Sequence, residues 1–134
     1  MKKVTLILVL FTMVVTLIIG ISGCKEVRRG ISGVAPYHEQ SFTVDPLSAQ
    51  TLSVELSSGD SLEGYVQVTS GGNLDIEFEV KDPYGKTIYK APDRVKGRHD
   101  FIFKAQNDGY YTLHFDNGFS LLTSKNVILK YRRT

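Results

Sequence analysis

Carboxylates at period two are the first residues in this sequence with chemistry in view: Asp75, Glu77 and Glu79, followed by Lys81. On a β-strand such residues stand about 7 Å apart on one face. General acid–base work would use the row if a neighbour shifted one pKa inside a cleft, and calcium would use it if further oxygens converged. A flat sheet face provides neither, and the reading that asks least is a solvated face cross-paired with Lys or Arg on adjoining strands. The histidines His38, His99 and His114 form no His-x-x-x-His arrangement. His114 would have to meet His99 across neighbouring strands, and a metal site still needs three or four convergent ligands. No Gly-x-Ser-x-Gly elbow accompanies the many serines, and Cys24, the single cysteine, has no histidine beside it and no disulfide partner. The expectation is no catalysis, no metal and no cofactor, with calcium on the carboxylate row as the alternative.

Binding is better supplied. Tyr65 and Tyr110 fall on the outward parity of their strands, and Tyr84 sits at a Pro-Gly turn. Tyr89 is opposite in parity to Ile88. An exposed tyrosine joins a flat apolar face to a hydroxyl, which suits protein or sugar contacts. The competing reading is that each ring shields a neighbouring strand. Phe119, Leu121 and Leu122 follow Asn117 in a loop, either packed or offered as an apolar contact patch. Tyr65, Tyr84, Tyr110 and Phe119 are therefore the candidate binding residues.

The elements that must position them are strands. Leu74, Ile76, Phe78 and Val80 alternate with the acids and Lys81, so one face is buried and the other wet. Leu52, Val54 and Leu56, then Leu62, Gly64, Val66 and Val68, alternate in the same rhythm, with turns at Ser57–Asp60 and Ser70–Asn73. A short strand at Ser41–Val44 stops at Asp45-Pro46, and Asp82-Pro83-Tyr84-Gly85 is a proline–glycine turn. Lys86–Lys90 is a short strand, Ala91–Gly97 a loop, and Phe101, Phe103 and Ala105 share one side of the next strand. Tyr111, Leu113 and Phe115 face a core in the strand opened by Gly109, and Val127, Leu129 and Tyr131 do so in the last, with Lys130 and Arg132 outward. About eight short strands without a helical period predict an all-β, antiparallel, jelly-roll-like β-sandwich.

The start of the chain is different. Lys2 and Lys3 precede an apolar run from Val4 to Ile19, the pattern of a secretory signal helix. Ile21-Ser22-Gly23-Cys24 is similar to a bacterial lipobox, which implies a diacylglycerol on the Cys24 thiol and cleavage just before it. Two acyl chains hold a protein on a bilayer where one holds only marginally. The alternative is an uncleaved signal anchor, since the run is near the lower limit for a span. Residues 1–23 are thus the expected lipoprotein signal, 24–40 a flexible tether and 41–134 the sandwich. Arg28 and Arg29 in the tether are either incidental charge on a solvated linker or stand where each basic side chain gains about 1 kcal/mol near anionic head groups. Without Lys2 and Lys3 the 16 basic residues become 14, equal to the 14 acidic ones. That balance gives no basic stripe for nucleic acid. The expected partners are a membrane, through the lipid, and a protein; the expected location is the extracytoplasmic face of the cell membrane.

The order of the strand motifs carries a family resemblance. An acidic-apolar strand runs into Asp82-Pro83-x-Gly85 and later Phe101-x-Phe103-x-Ala105. Then come Gly109-x-Tyr111-x-Leu113-x-Phe115-x-Asn117-x-x-Ser120 and Lys125-x-Val127-x-Leu129-x-Tyr131. Across residues 41–134 this resembles the GOLD (Golgi dynamics) domain of secretory-pathway cargo receptors and some lipid-transfer proteins. The resemblance implies a non-catalytic β-sandwich for protein or lipid interaction. It also implies a longer bend from Asn117 to Ser120, where Asn-Gly alone predicts a two-residue hairpin. The cargo receptors continue into a coiled coil and a membrane span that follow no segment here, so vesicle sorting is not implied. A second resemblance, to prepeptidase C-terminal domains of secreted hydrolases, rests on the apolar-acidic strand before Asp-Pro-x-Gly and the Gly-x-Tyr-x-Leu strand; it implies an envelope domain for glycan or cell-wall material.

Overall fold

The computed structural model describes residues 35–134. The signal helix at 1–23, Cys24 and most of the expected tether lie outside the described residues. Nine antiparallel strands follow one another: β1 His38–Val44, β2 Ala49–Leu56, β3 Ser61–Ser70, β4 Asp75–Lys81, β5 Thr87–Lys90, β6 Val95–Lys96, β7 Arg98–Lys104, β8 Gly109–Asp116 and β9 Lys125–Arg133. One sheet has the order β1-β9-β3-β7 and the other β2-β8-β4-β5, with β6 paired to β4. Leaving β6 aside, successive strands alternate between the sheets except at the β4–β5 hairpin, which is the two-sheet jelly-roll arrangement. Among the described residues no helix is long and apolar enough to cross a membrane.

Alternation explains the core. Leu62, Val66 and Val68 of β3, Ile76, Phe78 and Val80 of β4, and Leu113 and Phe115 of β8 are buried on the inner faces, with Val127 and Leu129 of β9. Phe78 sits at the centre, its ring 5.1 Å from both Phe101 and Phe115 and 5.9 Å from Tyr89. Tyr111 is buried with its hydroxyl satisfied, donating to the Asn107 carbonyl at 2.9 Å and accepting from the Asn107 amide.

Several local expectations change. The stretch expected as a loop at 91–97 contains β6, where Val95 and Lys96 pair with Ile76 and Asp75, so nine strands replace eight. Gly97 then turns the chain from one sheet to the other: its amide donates to Leu74 of the β3–β4 turn and its carbonyl accepts from Val68 of β3, at φ +65°. β1 begins at His38, three residues inside the expected tether. Leu74 is not the first core residue of β4 but a turn residue at φ 55°, exposed, its amide bonded back to Gly71. Asp75, expected on the wet face, is buried. In β5 the parity is inverted, with Ile88 exposed and Tyr89 facing the core. The irregularity between Val80 and Lys81 shifts the register there.

The Asn117-Gly118 hairpin does not form. A type I′ turn needs φ > 0 at both residues, and neither has it. β8 and β9 belong to opposite sheets, so the connection must cross the end of the sandwich. Asn117 anchors that crossing. It is fully buried, and its Nδ2 donates to the carbonyls of Val44, Asp45 and Thr123 at 2.9–3.2 Å. The Ser120 amide returns to the Asn117 carbonyl, and the Ser120 carbonyl accepts from Leu47, tying the crossing to the β1–β2 corner.

A candidate binding face and a buried charge network

The four candidate binding residues occupy four separate settings. Tyr84 is 79% exposed at the tip of the β4–β5 turn, where Asp82 Oδ1 accepts from the amides of Tyr84 and Lys86. Tyr110 is 61% exposed on the outer face of β8. Phe119 is half-buried in the β8–β9 crossing. Tyr65 lies on the outer face of β3, half-buried, and of the four it alone lines the groove described next.

That groove runs over the outer face of the β1-β9-β3-β7 sheet, where cross-strand register assembles residues distant in sequence. Glu39, Lys130, Tyr65 and Asp100 form one row across the four strands. Arg132, Glu63 and Ile102 form the next, and Ser41, Ile128, Gln67 and Arg98 the row on the other side. The Arg98 guanidinium lies 3.7 Å over the Tyr65 ring and donates to Asp100 at 2.8 Å. Tyr37, just before β1, sits under Arg132 and Lys130, 4.7 and 5.4 Å from its ring centre. Arg132 pairs with Glu63, and Lys130 reaches Glu39 at 3.4 Å. The result is an open groove of about 570 Å³, with Tyr37, Tyr65 and Ile102 in its walls beside Glu63, Arg98, Asp100 and Lys130. Such a surface, with two aromatic rings held by cations, can dock a chain or a ring without exposing an uncompensated charge. Strand alternation alone puts Lys130 and Arg132 outward without bringing them together, and Tyr37 falls within the expected tether.

Every carboxylate of the row is ion-paired: Asp75 with Lys125 and Arg94, Glu77 with Arg94, and Glu79 with Lys81. Asp75 is 3% exposed and Lys125 2%, and Lys125 Nζ donates to Asp75 Oδ1 at 2.8 Å and to the Gly71 carbonyl at 2.9 Å. Burial pushes the Asp75 carboxyl up, but the Lys125 hydrogen bond and charge, a backbone bond and Arg94 outweigh it and hold it below its ordinary value. Glu77 faces Arg94 at 3.6 Å. Burial likewise pushes the Glu79 carboxyl up, but Lys81, Thr87 and His114 outweigh it and hold it below its ordinary value. Among the described residues no three His, Cys, Asp or Glu side chains are grouped to hold a metal. His99 and His114 lie in opposite sheets; His99 Nε2 is instead 2.7 Å from the Tyr89 hydroxyl, and His114 is 3.6 Å from Glu79. Arg94 caps the network, its guanidinium 3.7 Å over the Phe119 ring.

Comparison with known proteins places the chain. It is 35% identical over 95 residues to the suppressor/enhancer of lin-12 protein 9 of Caenorhabditis elegans, covering 71% of this chain and 46% of that protein. The human transmembrane emp24 domain-containing protein 7 is 29% identical over 103 residues, covering 76% and 45%. The chain thus spans less than half the length of these relatives. Two solved structures share the fold alone. One is the periplasmic g-type lysozyme inhibitor PliG of Aeromonas hydrophila, with TM-score 0.50, 13% identity, and 79% and 92% of the two chains covered. The other is the Yersinia pseudotuberculosis-derived mitogen, with TM-score 0.54, 11% identity, and 74% and 86% covered. The family described as emp24/gp25L/p24 family/GOLD matches residues 39–133, all nine strands but for the first residue of β1, and the chain belongs to it.

Proposed function

We infer that this protein is a lipid-anchored, non-catalytic binding module that presents its sandwich on the extracytoplasmic side of a membrane and engages a protein through the β1-β9-β3-β7 face. The observation that carries the reading is the Tyr37–Tyr65 groove, in which Arg98, Lys130 and Arg132 hold the rings. Family membership supports a binding module, and the relatives' name describes transmembrane proteins. Here the Ile21–Cys24 motif offers a different attachment, two acyl chains on one cysteine.

Two measurements test the reading. The mature protein is expected to partition into detergent and to begin, by mass, at a diacylglyceryl Cys24; an unmodified Cys24 or an intact Met1 overturns the anchor. A photo-crosslinking residue in place of Tyr65 is expected to capture a protein in membranes while the same residue in place of Tyr110 does not. Equal capture at both positions, or none, removes the groove as the docking face. Retention on cell-wall polysaccharide that is lost in Tyr65→Ala reassigns it to glycan.

A further inference from the structure

Strand β7 ends its sheet, with β3 on one side and, among the described residues, no strand on the other. Two bonds fix which of its backbone groups are spent. The Gly97 carbonyl accepts from Val68 at 2.7 Å, and the Ala105 amide donates to Asp60 at 2.8 Å. Both continue the β3–β7 register, and antiparallel bonding to one neighbour uses every second residue. The odd residues of β7 therefore bond to β3, and the amides and carbonyls of Arg98, Asp100, Ile102 and Lys104 point to the open edge. The side chains of the same four residues stand on the outer face, with Ile102 61% exposed. A long open edge with an exposed apolar residue at its middle is a template for another strand.

Charge says which strand. Of the other edge strands, β1 and β2 each carry one carboxylate and β5 one lysine, so none of them can set opposite charges against itself. β7 carries Arg98, Asp100 and Lys104. We propose that β7 pairs antiparallel with β7 of a second copy of this chain, about a two-fold axis at Ile102. In that register Ile102 exchanges both backbone bonds with its counterpart, and Asp100 of each copy stands opposite Lys104 of the other. Centring the pair on Phe101 instead sets Arg98 against Lys104, and centring it on Phe103 pairs no charges. Only the Ile102 register joins free backbone groups and opposite charges together. On the same flank Tyr89 of β5 reaches His99 of β7, and the next residue, Ile88, is exposed beside a cavity of about 250 Å³ that Phe103 and Lys104 also line. That apolar surface lies beneath the strand pair for the second copy to cover. A contact this short falls below the about 1,200 Å² of a standard interface, so the dimer is weak and concentration-dependent. It also sets the two Tyr37–Tyr65 grooves side by side on one face, though the pairing does not depend on what the groove binds.

The test is amide hydrogen exchange of the full chain in detergent micelles, followed from micromolar to millimolar protein. The amides of Asp100, Ile102 and Lys104 are expected to exchange about tenfold or more slowly at the high concentration, while those of Phe101 and Phe103, already bonded to β3, keep a constant rate. Asp100→Lys sets lysine against Lys104 twice in the dimer, and Lys104→Asp sets carboxylate against Asp100 twice. Each alone is expected to remove the protection. Mixing the two variants makes both cross-strand pairs opposite in sign again, and is expected to restore it. Both side chains are exposed, and equal thermal midpoints for the variants and the parent chain show that they fold. Tyr65→Ala is expected to leave the protection unchanged, which separates this contact from the groove. Exchange at Asp100, Ile102 and Lys104 that ignores concentration, protection that survives either single reversal, or folded variants whose mixture stays unprotected overturns the proposal.

Discussion

Lys125 and Asp75 put opposite charges where water barely reaches, and the cost of disturbing them falls unevenly. Asp75→Asn or Lys125→Met leaves a buried charge without its partner, expected to cost about 3–5 kcal/mol in urea unfolding. The Asp75→Leu/Lys125→Met double variant removes both charges and is expected to cost less than either single change. The acid dependence has a definite sign. A carboxylate held below its ordinary value of 3.8 contributes stability that is complete above that value and lost as pH falls through the depressed one. Unfolding midpoints measured from neutral pH to below pH 4 should fall less steeply on that acid limb for Asp75→Asn. At this scale the sequence was misleading for a physical reason. Period-two alternation reports which side of a strand a residue takes, and Asp75 does take the outer side. It does not report that β6, Arg94 and the crossing loop cover that side at one end.

Elements succeed here where their ends are fixed by backbone contacts that few side chains permit. At Gly64 of β3 a Cβ would lie 2.0 Å from the Lys130 carbonyl and 2.8 Å from the Tyr131 Cα. Gly64→Ala must therefore part β3 from β9, and is expected to cost about 1–3 kcal/mol or more, read as a lowered thermal midpoint. Asn117→Ala removes donors from three carbonyls around the crossing, with about 1–3 kcal/mol expected for buried acceptors left bare. Strand positions and inner faces were legible because Phe101, Phe103, Tyr111, Leu113 and Phe115 alternate cleanly. β6 escaped because two residues carry no period. Tyr89 escaped because one irregular pairing in a four-residue strand inverts its faces.

For the molecule as a whole, the sandwich class was legible from strand count and turns, whereas the groove was not. Tyr37, Tyr65, Arg98 and Arg132 come from four separated segments, and only the order β1-β9-β3-β7 makes them neighbours. That order is written in cross-strand packing, which no local pattern reports. The same order has a consequence in time. β1 is bonded along its length to β9, and β9 also lies between β1 and β3, so β1 waits for a strand some eighty residues later in the chain. That sheet cannot be completed before β9 has been synthesised. Its pairings are mostly long-range, the class that folds over milliseconds to seconds rather than microseconds. A sandwich built this way keeps β1 and one edge of β3 unpaired until β9 has arrived.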